Sequence, residues 1–508
     1  MLACTFQPRL QPVLLTLLAI ATPLFLYKTN DYCNQDHLHE GQHWSQALFQ
    51  DVFLLLKKFL RLSPVERYPF LPEHITPTRL QYCLRHYKAA SYSNVVVKSL
   101  TKTRIGGGNG LLGTVWQIHL KYDTSHNRPE GPSSVVLKLM NRGFRARLLA
   151  RMGNIAATEC FFYRDSMLRR VRGIRSPVCY FTGWRTGYQH FCLLLEDLTH
   201  LRTGSTLERE GLSHSNACSI VKQVARFHAH YFNTVRLKGP KWVGRPFDTT
   251  RYQHVPGYVK NNVNATFHRI QELEKSNIVP KGLLSKRIQT YVRELASKYL
   301  NNTAKNIPVE LGGTHNRTIV LGDLRGGNIF VLSNNNNNSD DDDKEEQSEN
   351  DEIILYDFQL CREGCPAEDI DWFLGSISID VRQKHGKHIV RCYYDELIKN
   401  GVDEKKYPWH RLVYEIATYC SSKFWFVNLL EYRFLSKAEM YSNFLDCDTS
   451  NTAEDFDKVL HGLKLRWTRE ISMFEEFNSD KLAQLANECS PSSPTPEQYL
   501  PLLPQDWL

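Results

Sequence analysis

The sequence predicts an α+β chain in which a smaller β-rich part precedes a larger, mostly helical one. Three observations carry this. Short β-prone apolar runs cluster before residue 198, helical periodicity dominates after residue 213, and the stretch 318–372 interrupts the helices with two further strand-like runs. A length of 508 residues suits two lobes with added elements.

The elements follow in order. Leu10 to Tyr27 is an uncharged run behind Arg9, broken by Pro12 and Pro23, with Ala19-Ile-Ala21 resembling a cleavage site. It reads as a secretory signal or a short membrane anchor, and the nucleotide-using chemistry argued below favours an anchor, on the cytoplasmic side of a membrane. Residues 1–40 are taken as this segment. Residues 41–78 are a helix, with Leu48, Val52, Leu55, Leu56 and Phe59 at helical spacing, and a linker punctuated by Pro64, Pro69, Pro72 and Pro77. A first lobe over 79–198 then reads strand, glycine loop, strand. Val95 to Lys98 leads into Gly106, Gly107, Gly108 and Gly110, and Thr114 to Leu120 alternates. Glycines between strands let backbone amides approach phosphates without Cβ interference, although the spacing is not a Walker motif.

Val135 to Met140 is an apolar strand run carrying one cation, Lys138, and an ammonium there needs a partner. Glu159, twenty-one residues on in a helical pattern, is the candidate. Phe191 to Leu198 is a buried strand ending in Glu196 and Asp197, where the backbone of Glu196 and Leu198 could meet an adenine. A second lobe over 199–488 begins with the helix 213–232, on which His228 and His230 read as packing residues. Further helices are predicted over 283–300, 386–399, 409–435 and 453–487. A flexible tail is expected over 489–508, from its Pro and Ser content.

The most informative stretch is 318–372. Thr318 to Val331 and Ile353 to Leu360 look like the arms of one hairpin, and residues 333–351 between them hold only polar residues, expected to be disordered. Asp323 precedes Asn328 by five residues, so a tight loop aims both side chains at one point, and Asp357 ends the returning strand. Two carboxylates and an amide are hard oxygen donors of the kind magnesium takes alongside phosphates. In kinases this layout makes one Asp the acceptor of a hydroxyl proton while Asn and the later Asp hold the metal.

Composition excludes several classes. Apolar content of 42% and charged content of 23% are ordinary globular values. The net charge of +9 gathers in Arg142–Arg151 and Arg164–Arg175, which suits anionic ligands, a membrane surface or simply solvated helix faces. No nucleic-acid module or zinc-finger spacing is visible. The 13 cysteines lie singly, apart from Cys361 and Cys365, and read as reduced structural thiols.

Taken in order, Val136-Leu-Lys138, Glu159-x-Phe-Phe-Tyr163, Leu195-Glu-Asp-Leu198, Ala225-Arg-Phe-His-Ala229, Gly322-Asp-Leu324, Asn328 and Asp357-Phe-Gln359 resemble the aminoglycoside phosphotransferase and choline kinase superfamily. Within it they resemble the ecdysteroid-kinase-like, or CHK-kinase-like, branch, over roughly residues 80 to 440. The resemblance implies a protein-kinase-like two-lobed fold, with ATP and magnesium between a small β-rich lobe and a larger helical one. It implies that Lys138 contacts phosphates, Glu159 holds Lys138, Asp323 is the catalytic base, Asn328 and Asp357 bind the metal, and Asp369 supports the loop. Two departures stand out: Leu321 replaces the family histidine before Gly-Asp, and Arg325 stands where the branch often has an aromatic residue.

The implied function is transfer of the γ-phosphoryl group to a hydroxylated small molecule, whether a steroid-like, choline-like or other lipid alcohol. The aromatic positions Trp409, Tyr414, Tyr419, Phe424, Trp425 and Phe426 would be core or pocket wall. A catalytically impaired binding or regulatory protein on the same fold is the alternative, motivated by Leu321 and the N-terminal segment. Without an activation loop ending Ala-Pro-Glu, a protein kinase is disfavoured.

Overall fold

The computed structural model describes residues 69–86, 92–105, 113–125, 131–140, 155–167, 171–185, 190–201, 211–235, 316–332, 352–423, 468–488 and 495–508, with a few isolated positions between. The N-terminal segment 10–27, the helix 42–62, the glycine loop 106–110, most of 283–300 and the insert 333–351 lie outside them. Among the described residues no helix is long and apolar enough to cross a membrane.

Helix α1 (Pro77–Arg85) starts at Thr76, whose side chain accepts from Arg79 N, with Pro77 in the first turn. Five antiparallel strands follow: β1 (Val97–Ile105), β2 (Gly113–Tyr122), β3 (Ser134–Met140), β4 (Cys179–Arg185) and β5 (His190–Glu196). Their order across the sheet is β1-β2-β3-β5-β4. Alternation assigns the faces. Val135, Leu137 and Leu139 of β3 join Cys192 and Leu194 of β5 in a core with Leu80 and Leu84 of α1. Phe191, Leu193 and Leu195 face the other way, with Phe162 and Tyr163 of α2 (Ile155–Met167), and merge with the core of the helical lobe. Strand β5 is thus buried on both faces, which is why it reads as an unbroken apolar run.

The helical lobe starts at α3 (His214–Tyr231), whose N-terminus is capped by Ser213 Oγ accepting from Asn216 N. Its apolar stripe, including Ile220, Val221, Val224 and Phe227, is buried. The expected single hairpin resolves into two ladders. Strand β7 (Ile329–Leu332) pairs with β8 (Glu352–Leu355), while β6 (Thr318–Val320) pairs with β9 (Arg362–Gly364). The second ladder escaped the sequence because each of its strands is only three residues long. Next come α4 (Pro366–Ser376), α5 (Ile379–Lys399), α6 (Trp409–Lys423) and α7 (Ser479–Glu488). The helix expected over 453–487 breaks at Asn478, which takes φ of 50°, a left-handed conformation that Asn tolerates.

The tail expected to be flexible is packed from Thr495 onward. Thr495 and Gln498 form a capping box on a short helix, Pro496–Tyr499. Tyr499, Leu503 and Trp507 are buried, Trp409 Nε1 donates to Trp507 O at 2.7 Å, and Tyr499 stacks on Tyr414 with centroids 4.3 Å apart. Three large apolar anchors in fourteen residues outweigh the Pro and Ser composition on which the expectation rested.

Candidate active site

Strand register fixes Lys138 first. It lies on β3 opposite Val115 of β2 and Leu193 of β5, on the face turned away from α1. Its Nζ donates to Glu159 Oε1 at 2.9 Å and to Asp357 Oδ1 at 2.8 Å. Glu159 sits in the middle of α2, 2% exposed, against 15% for Lys138 and 19% for Asp357. Burial alone would lower the ammonium's pKa, but Asp357 and Glu159 together leave it raised. Burial pushes the Glu159 carboxyl up to about 7, with Lys138 pulling against it and Asp357 adding to it. These three groups set one cation against two carboxyl groups, of which Glu159 gives up its proton only near pH 7.

The ladder β7·β8 places the other end of the site. Ile329 pairs with Leu355, and Tyr356 N donates to Asn328 O at 3.1 Å, so Asn328 and Asp357 leave the same end of the ladder. Asp357 adopts φ of 66°, unusual for a residue with a Cβ, and this strained geometry turns its carboxylate to Lys138. Asn328 Nδ2 donates to Asp323 O at 2.9 Å and to Asp323 Oδ2 at 3.0 Å. With both N–H groups spent on Asp323, its amide oxygen is the acceptor left to a ligand. The donor set therefore fits magnesium: an amide oxygen and the second Asp357 oxygen are hard donors of the kind it takes beside phosphate oxygens and water.

Asp323 follows Gly322, whose φ of +79° and contact with Leu360 O exclude any side chain; an added Cβ would sit 2.5 Å from that oxygen. Arg325 Nε lies 3.2 Å from Asp323 Oδ1, so the cation at this departure from the family pattern faces the candidate base. Loss of the family histidine at Leu321 does not leave the loop unbraced. Asp369 Oδ2 accepts from Leu321 N at 2.6 Å and its Oδ1 from Gly322 N at 2.8 Å. Asp369 is itself held by His228 Nε2 at 3.1 Å, and His228 Nδ1 meets Tyr393 OH at 2.8 Å. Leu321 packs in the core instead. His228, read from sequence as a packing residue, is a buried hydrogen-bonding brace; the Phe-His-Ala run was the available signal.

Where the lobes join, the Glu196 side chain is engaged with Arg175 Nη2 at 3.2 Å and Val178 N at 2.9 Å. Asp197 accepts from Gln117 at 2.9 Å and from the Thr199 hydroxyl at 2.6 Å. These contacts fix the segment and turn both carboxylates away from a ligand role, while Leu198 is buried. Lys138, Glu159, Asp357, Asn328 and Asp323 thus form one connected constellation, Glu196 and Leu198 shape the junction, and Gly106, Gly107, Gly108 and Gly110 lie outside the described residues.

A family model described as the ecdysteroid kinase-like family matches residues 107–403. Among solved structures, an ethanolamine kinase of Plasmodium vivax is 12% identical over 80% of this chain and 92% of its own, with a TM-score of 0.36. A microcompartment-associated aminopropanol kinase is 12% identical over 79% of this chain and 98% of its own, at 0.31. A macrolide 2'-phosphotransferase from Brachybacterium faecium is 13% identical over 71% of this chain and 97% of its own, at 0.31. No curated protein matches.

Proposed function

Because this chain belongs to the ecdysteroid kinase-like family, we propose that it is a small-molecule kinase transferring the γ-phosphoryl group of ATP to a substrate hydroxyl. The observation that carries the reading is Lys138 held between Glu159 at 2.9 Å and Asp357 at 2.8 Å. A strand lysine fixed by a helix glutamate beside a metal-binding carboxylate is the phosphate-positioning arrangement of kinases.

Lys138 neutralises phosphate charge, and Glu159 keeps its ammonium on station. Asp323 accepts the proton of the attacking hydroxyl, its carboxylate positioned by Asn328 Nδ2. Asn328 and Asp357 would hold magnesium, which when bound screens the phosphates from one another and from the incoming oxygen. The phosphorus–oxygen bond to the leaving diphosphate breaks as the bond to the substrate oxygen forms, and the hydroxyl proton goes to Asp323. Positioning and charge stabilisation supply most of the rate. A steroid-like, choline-like or other lipid alcohol is the substrate class we favour.

One observation favours a second reading, a kinase-fold binding protein. Arg325 pairs with Asp323 and so occupies the base. Phosphorylation of a panel of steroid, amine and lipid alcohols with labelled ATP separates the two. The kinase reading expects product from the wild type and none from Asp323→Asn, with nucleotide binding kept. In Arg325→Ala it expects weaker ATP use, because the guanidinium moves to phosphate once nucleotide enters. No product from the wild type together with turnover gained in Arg325→Ala would favour the impaired reading.

A further inference from the structure

Away from this site, α3 and α5 each carry a histidine and a cysteine four residues apart: His214 and Cys218 on one, His388 and Cys392 on the other. Spacing of four residues places each pair on a single helix face. The two helices pack against one another and bring His214, Cys218 and His388 together, with Cys392 Sγ lying beside the His388 ring. His214 Nε2 lies 2.8 Å from His388 Nδ1, Cys218 Sγ lies 3.6 Å from the same nitrogen, and Cys392 Sγ lies 3.9 Å from it. The ligand atoms of His214, Cys218 and His388 all lie within 4.8 Å of one another. Both thiols are free.

We infer that His214, Cys218, His388 and Cys392 form a Cys2His2 site for a divalent transition cation of the zinc class. Zinc bonds of about 2.0 Å to nitrogen and about 2.3 Å to sulfur put tetrahedral ligand atoms roughly 3.3 to 3.8 Å apart. The separations of Cys218 Sγ and Cys392 Sγ from His388 Nδ1 already have about that size, the nitrogen pair need open by only about half an ångström, and Cys392 joins by swinging its sulfur off the His388 ring toward the other three. Two thiolates and two neutral imidazoles favour zinc over magnesium or calcium, which take oxygen donors. Each thiol releases its proton to solvent as its sulfur bonds the metal, so uptake frees two protons and involves no oxidant. His385, stacked on the His214 ring with centroids 4.2 Å apart, orients that imidazole without being needed as a ligand.

The role follows from position. His214 is the first residue of α3, and His228 lies fourteen residues on, about 21 Å along the axis at 1.5 Å per residue. The site therefore shares no residue with the phosphoryl-transfer constellation. A metal there pins the start of α3 to α5, and these same helices contribute His228 and Tyr393 to the brace on Asp369.

The test uses the full chain, purified without a metal-binding tag. Metal analysis after zinc loading and desalting should find about one equivalent per chain, falling to a small fraction in Cys392→Ser and in Cys218→Ser. His385→Ala and Asp357→Asn should keep it, which separates this site from the magnesium site. Cobalt(II) added to apo protein should give intense thiolate charge-transfer absorption together with tetrahedral ligand-field bands. A strong chelator should lower the thermal midpoint of the wild type and leave that of Cys392→Ser unchanged, so the test stands even if the variant is less stable. No retained zinc and no thiolate band in folded wild type would overturn the inference. So would a Cys218–Cys392 disulfide in protein prepared with zinc under anaerobic conditions, since the sulfurs would then be committed to each other.

Discussion

At the scale of single residues, Glu159 sets a pH dependence that runs in opposite directions for stability and activity. Its carboxyl is pushed up to about 7, so between its unfolded value and that pH the folded protein holds a proton that the unfolded chain has released. Its contribution to stability is full below the unfolded pKa and is lost as pH rises through about 7. The ion pair that orients Lys138, by contrast, forms only as Glu159 ionises. Turnover should rise between pH 6 and 8 while the thermal midpoint drifts down, and Glu159→Gln should flatten both trends and cut turnover by about 100-fold, the cost of a misplaced phosphate-binding group. A rate profile with the same inflection in Glu159→Gln would assign it to another group. Gly322 is as sharply constrained. Gly322→Ala combines a positive φ with a backbone collision and should cost about 1–3 kcal/mol in urea unfolding, with the loss of loop geometry visible as lower turnover.

At the scale of elements, the brace from α3 through α4 to the loop before Asp323 is the device on which the site rests. His228 and Asp369 are fully buried and hydrogen-bonded to each other, so His228→Ala removes one of the three hydrogen bonds on the Asp369 carboxylate and leaves those from Leu321 N and Gly322 N. Losing one hydrogen bond to a buried carboxylate costs about 1.5–3 kcal/mol; chemical denaturation should show a loss of that size, and an unchanged midpoint would mean that the Leu321 and Gly322 N–H groups hold Asp369 by themselves. This level also marks how far the sequence could be read. The residues that the fold brings together at the candidate site were legible because hydrophobic runs and fixed offsets announce them: Lys138 stands alone in an apolar strand, and Asp323 and Asn328 share a tight loop. Of the brace only Asp369 was anticipated, through the family resemblance; the part of His228 was not, because His228, Leu321 and Asp369 are separated by 93 and 48 residues and meet only through packing. The paired His/Cys turns of α3 and α5 were missed for the same reason, since each pair alone is an ordinary helical spacing. The three-residue strands β6 and β9 carry too little pattern for periodicity to detect.

At the scale of the molecule, the C-terminal residues close the helical lobe and do not trail from it. Deleting residues 495–508 exposes the surfaces under Tyr499, Leu503 and Trp507, and at about 1.5–3 kcal/mol for each large apolar side chain the loss should reach several kcal/mol. The shortened chain should melt at a lower temperature, and equal midpoints would show that the contacts made by Trp507 and Tyr499 add nothing. The central claim, a nucleotide and metal site formed where the sheet meets the helical lobe, is tested most directly by thermal unfolding of the full chain with ATP, with and without magnesium, beside Asp357→Asn. At a hundredfold excess over its dissociation constant a ligand stabilises the native state by about 2.7 kcal/mol. A magnesium-dependent rise in the midpoint that Asp357→Asn abolishes is the predicted result; no rise in the wild type, or an equal rise in the variant, would contradict the account.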